Sequence, residues 1–106
     1  MAFAIRVVRL NKYLNEKKAY SMADQILRSG TAIGALQREA EHAESKPDFI
    51  HKYSIAQKEC NETLFWLELL FKSDYISEAE YNSMYNDANE LMKLITSSIK
   101  TVKYGK

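Results

Sequence analysis

Apolar residues recur along the chain at alternating spacings of three and four, with polar residues filling the positions between. Phe3, Val7, Leu10 and Leu14 make the first such stripe and predict a helix from about Ala2 to Lys17. Ile5 and Val8 lie on roughly the opposite side of that helix. A surface helix of a monomer needs only one apolar face. This second pair therefore signals either burial against another subunit or two aliphatic side chains left in solvent. After a short connection near Lys18–Ser21, a second seam runs through Met22, Ile26, Ser29, Ile33, Leu36, Ala40 and Ala43. Gly30 and Gly34 sit four apart within it. Each costs about 1 kcal/mol in a helix interior relative to alanine, which predicts a closely approaching neighbour or a kink. The small side chains around Ala35 favour close packing.

Glu44-Ser45-Lys46-Pro47-Asp48 is the clearest boundary, with a cap at Ser45 or Lys46, Pro47 in the first turn and Asp48 at the positive end of the dipole. The third seam is Phe49, Tyr53, Ala56, Cys60, Thr63, Leu67 and Leu70; Ile50, Leu64 and Phe71 widen it and Trp66 flanks it. Roughly 24 residues at about 1.5 Å each make a rod of about 36 Å. Ser73-Asp74-Tyr75-Ile76 forms the next turn. Ser77-Glu78-Ala79-Glu80 then reads as a capping box, with Ile76 and Tyr81 placed as a hydrophobic staple. The fourth helix carries Tyr81, Met84, Ala88, Leu91, Ile95, Ser98 and Val102, with Ile99 beside them. Short connections make sequential helices antiparallel neighbours. The expected fold is all-α: one domain over residues 1–106, an up-down-up-down four-helix bundle.

Composition narrows the function classes. A chain of 106 residues with one Cys, one Pro and three Gly has room for one domain. It has no internal disulfide and no multi-Cys zinc cluster. Charges interrupt every apolar run short of a bilayer span. The opening MAFAIRVVRLNKYLNEKK lacks the apolar core and cleavage site of a signal peptide. A soluble, cytoplasmic protein without membrane contact is expected.

Charge is nearly balanced, at net +1, yet unevenly placed. Residues 1–18 hold Arg6, Arg9, Lys12, Lys17 and Lys18 against Glu16 alone, and residues 93–106 add Lys93, Lys100, Lys103 and Lys106. Residues 74–92 carry Asp74, Glu78, Glu80, Asp87 and Glu90 with no base. In an antiparallel bundle the first helix begins where the fourth ends. Arg6, Arg9 and Lys12 are thus expected to join Lys100 and Lys103 in a basic patch suited to phosphates. Cations at the end of the fourth helix also stabilise its dipole, so part of this pattern needs no ligand.

Catalytic signatures are weak. Glu39 and His42 have Glu-x-x-His spacing, but a di-iron bundle needs a second such pair and two further inward carboxylates. Asp48 and His51 fall at a helix start, and Glu59 and Glu62 lack a histidine. Cys60 lies on the apolar seam, where a thiol behaves as a small hydrophobe. No Gly-rich phosphate loop, nucleophile elbow or zinc spacing occurs. The seven tyrosines sit mostly at or beside seam positions, where core or subunit packing accounts for them. No catalytic residue, metal or cofactor is expected.

Several segments in order resemble one family. They are Gln25-Ile26-Leu27-Arg28-Ser29-Gly30-Thr31-Ala32-Ile33-Gly34-Ala35, Glu39-Ala40, Ala43-Glu44-Ser45, Asp48-Phe49-Ile50-His51-Lys52, Ser54-Ile55-Ala56, Lys58-Glu59, Glu62-Thr63, Trp66-Leu67-Glu68-Leu69-Leu70 and Tyr75-Ile76-Ser77. Over nearly the whole chain they are similar to the four-helix bundle proteins encoded in intervening sequences of bacterial 23S ribosomal RNA genes. The accessory variability proteins of diversity-generating retroelements form a sister branch. The resemblance implies a ring-like homopentamer. In the retroelement branch that ring has a basic surface that binds nucleic acid and a reverse transcriptase. The family name is often rendered as a ribosomal protein, yet this chain lacks the strong basicity and extended tails of one. It also has Leu36-Gln37-Arg38 where the family often has Asn-Ile-Ala. Arg28, Glu39, Lys52, Glu59 and Glu62 are expected to form a structural polar network between helices or subunits. The function expected from the whole is a non-enzymatic oligomeric module that binds RNA, DNA or a nucleic-acid enzyme such as a reverse transcriptase. The alternative is a protein scaffold without nucleic-acid contact.

Overall fold

The computed structural model describes residues 1–105. It holds four helices: α1 (Ala2–Glu16), α2 (Tyr20–Ala40), α3 (Lys46–Lys72) and α4 (Glu78–Tyr104). Local chemistry sets their ends. The Ser45 hydroxyl accepts from Asp48 N at 3.2 Å and opens α3. At α4, Ser77 Oγ accepts from Glu80 N while Glu80 Oε1 accepts from Ser77 N, both at 3.1 Å, completing the capping box. α1 and α3 end in the same way, each with a left-handed residue just past the helix: Lys18 at φ 61° and Asp74 at φ 64°. The following amides, Ala19 N and Tyr75 N, each donate back 2.9 Å to Leu14 O and Leu70 O.

Each helix packs on the next in sequence, and partner numbers fall as residue number rises. Val7 meets Gly30 and Asn11 Nδ2 donates 2.9 Å to Ala23 O, which pairs α1 with α2. Arg28 reaches Glu59 and Glu39 reaches Lys52 across α2 and α3. Gln57 Nε2 donates 3.0 Å to Thr96 Oγ1, and Cys60 Sγ donates 3.2 Å to Ala88 O, across α3 and α4. Consecutive helices are therefore antiparallel. Inside lie Val7, Leu14, Ile26, Ile33, Leu67, Leu70 and Ile95, almost wholly removed from water. Two buried hydroxyls interrupt this apolar centre. Thr63 Oγ1 lies 3.1 Å from Ser29 Oγ and 2.8 Å from Glu59 O, while Ser29 donates 3.0 Å to Gln25 O. Among the described residues no buried side-chain polar atom lacks a partner.

The structure shifts several expected boundaries. α2 stops at Ala40, short of Ala43, while α3 begins at Lys46 and runs 27 residues. The two helical glycines also differ. Gly30 is buried against Val7, the close approach its cost predicts, but Gly34 is exposed with nothing near the Cβ it lacks.

One expectation about the ends needs correcting. α1 has 15 residues and α4 has 27. Met1, Ala2 and Phe3 line one cleft with Leu91 and Leu94, so α1 begins beside Leu94. Lys100 lies about 9 Å of helix rise beyond that level, whereas Arg6, Arg9 and Lys12 recede from it the other way. The two basic groups do not share an end, because α1 is too short to reach it. α1 also meets α4 over much less surface than the other adjacent pairs.

Candidate functional site

The outer flank of α1 and α2 is the surface whose composition the fold itself leaves unexplained. α1 turns Phe3, Val7, Leu10 and Leu14 inward, so Met1, Ile5 and Val8 point away from the core, at 78%, 45% and 38% exposure. Beside Met1 and Ala4, α2 presents the small residues Thr31, Gly34 and Ala35, which line a hollow with them. An exposed helical glycine costs about 1 kcal/mol relative to alanine. Gly34 has no intrachain neighbour to justify that cost. Arg9 and Lys12 border the apolar strip, and neither has an ion-pair partner among the described residues.

The expected basic residues fall into three settings. Arg6 is committed within the chain: it pairs with Asp87 and donates 3.0 Å to Ser83 Oγ. Arg9 and Lys12 stay exposed on the flank. Lys100 and Lys103 are exposed on the last turns of α4. There Thr101, Val102 and Gly105 line a hollow with Lys46 at the start of α3. Lys46 stands 54 and 57 positions from Lys100 and Lys103, and the antiparallel run of α3 against α4 brings it to their end.

The polar residues expected to form a network lie across α2 and α3 in two groups. Arg28 donates to Glu59 Oε1 at 3.1 Å, to Gln25 Oε1 at 3.2 Å, and also to Glu62. Trp66 Nε1 donates 3.0 Å to the same Glu62 carboxylate. One guanidinium thus answers two carboxylates on successive turns of α3, and the indole braces the second. Lys52 and Glu39 make a separate, looser pair at 3.4 Å. Arg28 is half exposed, so solvent screens these pairs. Glu59→Gln is expected to cost less than about 1 kcal/mol in a urea melt, consistent with a bracing role. A loss several times larger would show that the pair is effectively desolvated.

His42 is exposed, and among the described residues no group of three His, Cys, Asp or Glu side chains converges as metal ligands would. Cys60 is fully buried, and burial pushes its thiol from 9.0 up to about 11. The fold holds the protonated form, so its contribution to stability is complete below pH 9 and is lost as pH rises through about 11. At neutral pH a thiol reagent should leave the native chain unmodified and label one thiol per chain after unfolding. Rapid labelling of the native chain would contradict the burial.

Among the described residues no helix is long and apolar enough to cross a membrane. The family model described as "23S rRNA-intervening sequence protein" matches residues 1–97. Among solved structures, the chain is similar to a protein of unknown function from the S23 ribosomal protein family of Bacteroides thetaiotaomicron VPI-5482. The two share 55% identity and a TM-score of 0.92, with 94% of each chain covered. No curated protein matches the chain.

Proposed function

The chain belongs to the 23S rRNA-intervening sequence protein family, and on that footing we propose that it is a non-enzymatic, homo-oligomeric docking module that engages nucleic acid. Copies associate through the exposed apolar surface around α1 and Gly34 into a ring, with a homopentamer as the expected size. Each copy then contributes Lys100 and Lys103, together with Lys46, to a repeated basic surface. Gly34 carries the reading. An unsupported glycine on α2 beside exposed Met1, with Ile5 and Val8 exposed on α1, marks a contact that the single chain does not make.

Phosphate contact is assigned to the α4 end because Arg6 is already paired and Arg9 and Lys12 border the apolar strip. One protomer has a net charge of only +1, so affinity depends on repetition around the ring. Light scattering with and without single-stranded RNA, across a salt series, tests both parts. The expected result is an oligomer whose RNA affinity falls with salt. Lys100→Glu with Lys103→Glu should weaken binding and lower the slope of log affinity against log salt by about 0.7 for each phosphate no longer neutralised. An oligomer without RNA affinity at low salt would leave a protein partner as the reading; a chain that stays monomeric would remove both parts.

A further inference from the structure

Resting on the self-association just proposed, we infer that the contact joins two different surfaces, the α1 ridge of one copy and the α1/α4 cleft of the next. The ridge is Ile5 and Val8, bordered by Arg9 and Lys12. The cleft, of about 480 Å³, adjoins the ridge at Met1 and Ala4 and opens between the start of α1, α2 and the middle of α4. Leu94 stands on its wall at 55% exposure, beside Leu91 and Gly34, and Glu90 and Asp87 stand on its rim. An exposed apolar strip bordered by bases thus has a concave apolar counterpart bordered by carboxylates.

The order of residues along the two surfaces strengthens the match. On α1 the apolar Ile5 and Val8 lie toward the helix start, and Arg9 and Lys12 follow. On α4 the apolar Leu94 and Leu91 lie beside that same start, and Glu90 and Asp87 follow in the same direction, because α4 runs antiparallel to α1. Two copies standing side by side the same way up therefore bring aliphatic to aliphatic and base to acid. Arg6, Asp87 and Ser83 already bind within one chain, so Glu90 is the carboxylate left to meet Arg9. A contact between unlike surfaces repeats from copy to copy and closes into a ring when the rotation allows.

The experiment is a mixing test by light scattering on the full chain. Ile5→Asp spoils the ridge and leaves the cleft; Leu94→Asp spoils the cleft and leaves the ridge. Both sites are exposed, and circular dichroism will verify that each variant stays helical. Each variant alone should fall to the mass of one protomer. Their equimolar mixture should double that mass and stop there, since one good ridge meets one good cleft. As a second measurement, Arg9→Glu or Glu90→Arg alone should reduce the assembled fraction several-fold, and the two together should restore it. If the wild-type chain assembles but the mixture stays at one protomer mass, or Leu94→Asp still assembles alone, the two-surface contact is wrong while self-association stands. A monomeric wild type would overturn both.

Discussion

Leu67→Ala is expected to lower the unfolding free energy by about 2–5 kcal/mol. Leu67 is wholly buried on α3, the helix that packs on both α2 and α4. Truncation there removes the transfer energy of the missing carbons and leaves a void in the buried core. Against a typical domain stability of about 5–15 kcal/mol this is a large fraction. Urea melts should show a lower midpoint at an unchanged slope. A loss below about 1 kcal/mol would mean that this layer repacks freely.

Gly30→Ala should also destabilise the chain, although alanine is the better helix former. An added Cβ would lie 2.8 Å from both γ carbons of Val7 and 3.3 Å from its Cβ. Val7 is fully buried and stiff at χ1, so it has no easy retreat. Overpacking of this kind costs about 1–3 kcal/mol, against a propensity gain of about 1 kcal/mol. The same change at Gly34 meets nothing within 4 Å and should stabilise the protomer by about 0.4–1 kcal/mol. Opposite signs at two glycines one helical turn apart form a sharp internal control. Both changes are best measured on an Ile5→Asp background, where assembly does not contribute. A gain at Gly30 would show that α1 stands farther from α2 than Val7 indicates.

These two glycines also mark how far the sequence could be read. The inward stripe of α1 was legible in full: Phe3, Val7, Leu10 and Leu14 are all buried. Burial within one helix follows its own period, which neighbours in the chain display. The capping box at Ser77 and the break before Pro47 are local chemistry and were equally plain. Relations between helices were not. Gly30 and Gly34 share a seam by spacing, but only the position of α1 decides which one is covered. Arg6 finds Asp87 across 81 positions, a pairing set by the offset of α1 against α4. That offset also separates Arg6, Arg9 and Lys12 from Lys100 and Lys103. Charge segregation along the chain was visible; the relative heights of the helices that carry those charges were not.

The brevity of α1 has a dynamic consequence. Beyond Leu94 α1 no longer flanks the rod, and the last turns of α4 pack on α3, with Thr101, Val102 and Gly105 bordering an open hollow toward Ala40 and Lys46. Amide hydrogens there should exchange by fraying, while those around Leu67 wait for global unfolding. Lys100 and Lys103 ride on the section with the least protection, so a polyanion gripping them would have to quiet a loose tip. Tight binding should register as slowed deuterium uptake at that tip, with the middle of the molecule unchanged.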